Sequence, residues 1–62
     1  MKILVKDLRK HIGHTQELFS SKAGISIRYL QNIERGDHIP SLTILEKIAK
    51  AHGVSIKDLI DD

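Results

Sequence analysis

Apolar positions along this 62-residue chain recur at helical spacing in short blocks, and glycines separate the blocks. Leu4, Val5, Leu8 and Ile12 form one stripe; Leu42, Leu45, Ile48, Ala49 and His52 form another. Gly13, Gly24, Gly36 and Gly53 each follow a block, where the left-handed backbone past a helix end favours glycine. Thr15, Ser26, Ser41 and Ser55 each precede a block and can cap it by accepting a first-turn N–H. Ser55 and Asp58 have the spacing of a capping box. Ile25/Leu30 and Val54/Leu59, and more weakly His14/Phe19, have the spacing of hydrophobic staples. These signals predict helices at about 3–12, 16–23, 27–35, 42–52 and 56–61, with Pro40 in a loop. No segment alternates as a strand should. The expectation is a compact all-α domain of five helices spanning 1–62.

Only Gly24-Ile25-Ser26 separates the second helix from the third, which gives the sharp corner of a helix-turn-helix. Ser20 and Ala23 are small where the next helix must cross closely. On a wheel of about 100° per residue from Ile27, Leu30 and Ile33 fall near 300° and 240° with Tyr29 near 200°, the face to be buried. Ile27, Gln31, Arg35, Arg28 and Asn32 fall between about 0° and 140°, facing outward. Such side chains can read base edges: Arg at guanine, Asn or Gln at adenine, an aliphatic group at the thymine methyl. A solvated surface is the plainer reading of such a face, and the tight turn and basic surroundings favour recognition. Gln16 opens the second helix, where free N–H groups attract phosphate, and is also an ordinary helix-start residue. Arg35 can reach a phosphate or simply stabilise the end of its own helix. Glu34, at the edge of the buried face near 340°, needs a partner, and Arg9 is the candidate.

Charge sharpens this picture modestly. The formal net charge is +2, but residues 1–36 carry seven Lys/Arg against three acids and residues 37–62 three against five. A basic N-terminal half can face a polyanion. There is no cysteine, so disulfides and thiolate metal sites are excluded. No apolar run reaches the roughly 18 residues of a membrane span, and Met1 to Val5 is too short for a signal peptide's apolar region. A cytoplasmic protein with no membrane association is expected. His11 and His14 have a spacing that suits a metal pair but recruit no third ligand, so no metal is expected. No nucleophile–base set, phosphate loop or small-molecule site is evident, and neither enzyme activity nor a cofactor is expected.

Taken together, Thr15-Gln16-Glu17, Lys22-Ala23-Gly24-Ile25-Ser26 and Tyr29-Leu30-x-x-Ile33-Glu34-Arg35-Gly36 closely resemble the phage-repressor/Cro-like (XRE) helix-turn-helix family. Pro40-Ser41-Leu42, Leu45-x-Lys47-Ile48-Ala49-Lys50-Ala51 and Gly53-Val54-Ser55 extend the match to about residues 3–60. The resemblance implies a lambda-repressor-like fold that binds a near-palindromic operator as a homodimer, with the third helix in the major groove. It implies base reading by Ser26, Ile27, Arg28, Gln31 and Asn32, phosphate contact by Gln16, Tyr29 and Arg35, and a structural salt bridge between Arg9 and Glu34. Many short members repress transcription. The sequence departs from the family pattern at His14 (usually leucine), Ser20 (usually alanine), Leu18 (often acidic) and Asp37-His38 (often basic).

A second reading keeps the fold but turns it on a protein partner, as in antitoxins and developmental regulators. Ile56, Leu59 and Ile60 would then form a partner surface; in the DNA-binding reading they form the dimer surface. The chain's ends suit either a complete minimal protein or one domain of a longer repressor.

Overall fold

The computed structural model describes residues 2–61; Met1 and Asp62, the outermost positions of the expected domain, lie outside the described residues. Four α-helices follow in order: α1 (Val5–His11), α2 (Gln16–Ala23), α3 (Ile27–Arg35) and α4 (Leu42–His52). The predicted limits of the second, third and fourth helices coincide with α2, α3 and α4. Caps explain why. The hydroxyls of Thr15, Ser26 and Ser41 accept from the N–H groups of Leu18, Tyr29 and Ile44 at 3.1, 3.1 and 3.2 Å. Each such cap stabilises its helix by about 1 kcal/mol.

The two chain ends depart from expectation. The first helix begins at Val5, because Lys2–Ile3 form a short strand, β1, antiparallel to β2 (Ile60–Asp61). Ile3 pairs with Ile60, and the Leu4 N–H donates to the Leu59 carbonyl at 2.7 Å. The expected fifth helix is a single 3-10 turn (Ile56–Asp58) that gives way to this strand. Asp58 does reach back, accepting from the Ser55 N–H at 3.1 Å and its hydroxyl at 3.2 Å. Acidic Asp61 would oppose the dipole at a helix C-terminus, whereas in the strand it lies opposite Lys2. Short apolar runs such as Ile3-Leu4-Val5 fit helix or strand alike, and tertiary pairing decides.

Val5, Phe19, Leu30, Ile48 and Leu59 are fully buried and form the centre of one core, to which Ala23, Ile33, Leu45 and Ala49 add. Leu59 therefore cannot belong to a dimer or partner surface; Ile56 and Ile60 are partly buried against the same core. Two other stripe residues miss the core. Leu42 is 63% exposed, since burial of α4 starts one turn later at Leu45, and Ile12 lies past the end of α1 at 36%.

Candidate nucleic-acid interface

The corner between α2 and α3 is set by Gly24, at φ 70° and ψ 31°. A Cβ added there would meet only the flexible end of Lys47 at 3.9 Å, so it is backbone conformation rather than space that favours glycine. Ser20 and Ala23 are both buried on α2, which packs against α3 and α4. The Ser20 hydroxyl donates to the Glu17 carbonyl at 3.1 Å, so a small polar group is buried without an unpaired donor. This packing turns Leu30 and Ile33 inward and fixes the opposite face of α3.

Along that outer face Ser26, Arg28 and Arg35 are exposed, and Ile27 is 42% exposed. Gln31 and Asn32 are half-buried at its flank. Four of the sequence-derived residues meet at the junction of α1, α2 and α3. Arg9 grips Glu34 with two bonds, Nε to Oε2 at 2.7 Å and Nη2 to Oε1 at 3.0 Å, and its Nη1 donates to the His14 carbonyl at 2.9 Å. The Gln16 amide donates to Glu34 Oε1 at 3.0 Å and accepts from Gln31 Nε2 at 3.3 Å. A continuous polar chain thus runs from α1 through the start of α2 to the outer flank of α3. Burial pushes the Glu34 carboxyl toward neutrality. The Arg9 and Gln16 hydrogen bonds, with the charges of Arg9 and Lys6, outweigh it and hold the group below its ordinary range.

Tyr29 and Arg35 sit elsewhere. The loop after α3 folds back on them: His38 Nε2 lies 3.1 Å from the Tyr29 hydroxyl, and Arg35 Nε lies 3.1 Å from Asp37 Oδ2. Arg35 Nη2 also donates to Asn32 Oδ1 at 2.6 Å. Beyond Gln16 and Gln31, two more residues expected at phosphates and one more expected at bases are therefore engaged by other side chains. Asp37 and His38, where the family pattern is often basic, make two of these three contacts.

An open cleft of about 540 Å³ adjoins the polar chain, and Lys6 and Lys10 line it together with Arg9, Gln16, Gln31 and Arg35. Reasoning from sequence passed over these two lysines. Their signal was their spacing, one turn apart and flanking Arg9. Among the described residues no group of three His, Asp or Glu side chains could hold a metal ion, and no helix is long and apolar enough to cross a membrane.

Comparison with known proteins places this geometry. The family model described as helix-turn-helix matches residues 5–59. The chain is 37% identical over 59 residues to the uncharacterized HTH-type transcriptional regulator YgzD of Bacillus subtilis, covering 95% of this chain and 89% of that one. It is 36% identical over 58 residues to the immunity repressor protein of Bacillus phage phi105, covering 94% of this chain and 40% of the repressor. It is also 36% identical over 59 residues to the HTH-type regulator SinR of B. subtilis, covering 94% of this chain and 53% of SinR. No solved structure matches the chain. A family match across all four helices, with the tight α2–α3 corner at its centre, identifies the chain as a member of the helix-turn-helix family of DNA-binding transcription regulators, a family that is not enzymatic.

Proposed function

We propose that this protein, acting through residues 1–62 as one helix-turn-helix domain, binds a near-palindromic operator sequence-specifically as a homodimer and represses transcription in the cytoplasm. The observation that carries this reading is the outer face of α3, where Ser26, Ile27 and Arg28 lead and Gln31 and Asn32 flank. Nine residues make a helix about 13.5 Å long and roughly 10–12 Å across, a diameter that the roughly 12 Å major groove admits. On this reading those five residues read bases, and Gln16, Tyr29 and Arg35 contact phosphates. The Arg9–Glu34 pair holds Gln16 in place. The relative named as an immunity repressor supports the direction of regulation.

Geometry argues for two copies. Operator half-sites lie about 34–36 Å apart, one helical turn, whereas the Cα atoms of one copy span 27 Å. One copy carries one α3 and so fills one half-site. The second copy would dock near the C-terminal turn and strand, where Ile56 and Ile60 keep part of their surface exposed.

Selection of genomic fragments by the purified protein, followed by binding of Arg28→Ala to selected and random duplexes, tests the proposal. Loss of one bidentate base contact costs about 1–3 kcal/mol on the selected site and much less on random DNA. Equal losses on both would remove Arg28 from base reading. No retained fragment at any salt concentration would favour a protein partner instead.

A further inference from the structure

We infer that Lys6 and Lys10 form a phosphate-binding rim on α1, which grips the DNA backbone beside the groove occupied by α3. The inference rests on the DNA-binding reading above and extends the contact surface to a helix outside the helix-turn-helix. Both lysines are exposed, one turn apart on one side of α1, and both line the cleft that ends at Gln31 and Arg35 on α3.

The charge of that cleft is what selects its ligand. Its one acid is Glu34, and that carboxylate is already occupied, accepting twice from Arg9 and once from Gln16. Neither Lys6 nor Lys10 forms an ion pair among the described residues; the one nearby carboxylate, Glu34, feels the charge of Lys6 but is bonded to Arg9. The Gln16 and Gln31 amides each spend one N–H on the polar chain, which leaves each a second N–H to donate. Two ammonium groups without ion-pair partners, with amide donors in the same lining, suit an anionic oxygen, and four cationic side chains against one carboxylate disfavour a cation. The cleft is continuous with the outer face of α3, so an extended polyanion can occupy both at once. A DNA strand does this and a free phosphate ion does not.

The test is the salt dependence of binding to a selected duplex by the intact protein and by a Lys6→Gln/Lys10→Gln variant. Each phosphate neutralised contributes about 0.9 to the slope of log K against log salt. The double variant should therefore lose roughly 1.8 from the slope and about 5-fold in affinity per lysine near 0.15 M salt, with its ranking of base substitutions unchanged. A Lys22→Gln/Lys50→Gln variant removes the same charge from outside the cleft and away from the proposed dimer surface, and should keep the slope. An unchanged slope in the Lys6/Lys10 variant overturns the inference and leaves the DNA-binding reading standing. Equal slope losses in both variants would mean that only net charge matters, and would also overturn it. If the intact protein binds no duplex at any salt concentration, both readings fall together. Because both side chains are exposed, the melting temperature should not move; inorganic phosphate at matched ionic strength should compete no better than chloride.

Discussion

Among the described residues there are two arginine–carboxylate pairs, and they differ in almost everything but chemistry. Arg9 and Glu34 come from α1 and α3, meet through two hydrogen bonds, and leave only 12% and 4% of their side chains exposed. Arg35 and Asp37 are two positions apart in sequence, meet at 3.1 Å, and are 64% and 63% exposed. The buried pair is tied in on every side: Arg9 also holds the His14 carbonyl, and Glu34 also accepts from Gln16. The exposed pair can break and re-form at little cost, because water replaces either partner. Burial therefore assigns the roles. One pair joins helices and sets where Gln16 and Gln31 lie. The other keeps an arginine at the end of the outer face of α3 in contact with a carboxylate that another anion could replace.

Stability separates the two pairs most widely. Glu34→Ala leaves a largely buried guanidinium without its carboxylate. Breaking a fully buried pair costs about 3–5 kcal/mol, and the partial exposure of Arg9 sets the expected loss near the lower end. For a domain of this size that is a fall of roughly 10–20 °C in melting temperature. Asp37→Ala should move it by no more than a few degrees, since exposed pairs contribute about 0–1 kcal/mol. Similar losses in thermal unfolding of the two variants would erase the distinction drawn from burial.

In DNA binding the order reverses. Arg35→Ala should lower affinity for specific and random duplexes alike and reduce the salt slope by about 0.9, one phosphate contact. Asp37→Asn frees the same arginine from its competing carboxylate and should raise affinity a few-fold, without altering base preference. Gel shifts over a range of salt resolve both effects. If Asp37→Asn weakens binding, the loop after α3 serves to orient Arg35 for DNA and does not compete with it.

How much of this could be read from the chain follows the same divide between local and long-range forces. The limits of α2, α3 and α4 were legible because each is set by its own cap and glycine, within a few residues of sequence. The outward face of α3 was legible because it follows from the helical period alone. The ends were not. Whether Ile3 and Ile60 continue helices or pair as strands depends on a partner nearly sixty residues away, and local spacing carries no record of it. For the same reason Leu59 looked available for a partner while it fills the core. The Lys6–Lys10 rim needed the crossing of α1 against α3 before two ordinary surface lysines acquired a shared cleft. The hold of Asp37 and His38 on Arg35 and Tyr29 was hidden too, because a loop's fold-back depends on side-chain packing that no period encodes.

Acid should separate the buried pair from the rest of the core through two distinct windows, and this is the smallest of the expected effects. His52 lies stacked on Phe19 with ring centroids 4.0 Å apart, and His14 meets it edge-on at 5.5 Å. Burial, then the neighbouring His14, and also Lys22, hold the His52 imidazole below its ordinary value of 6.5, against an opposing pull from the Phe19 carbonyl. A group whose folded value is depressed binds protons more readily when unfolded, so its contribution is intact above 6.5 and declines as pH falls below it. Glu34, also depressed, keeps its contribution above its ordinary 4.5 and loses it only as pH falls through the lower folded value. Thermal unfolding from pH 8 to pH 3 should therefore show a shallow decline beginning near 6.5 and a steeper one below about 4.5. His52→Gln should remove the first and spare the second, and Glu34→Gln the reverse. A single decline that both substitutions abolish would mean the histidine pair and the arginine–glutamate pair unfold as one coupled unit, and the polar junction of α1, α2 and α3 would extend through His14 to the end of α4.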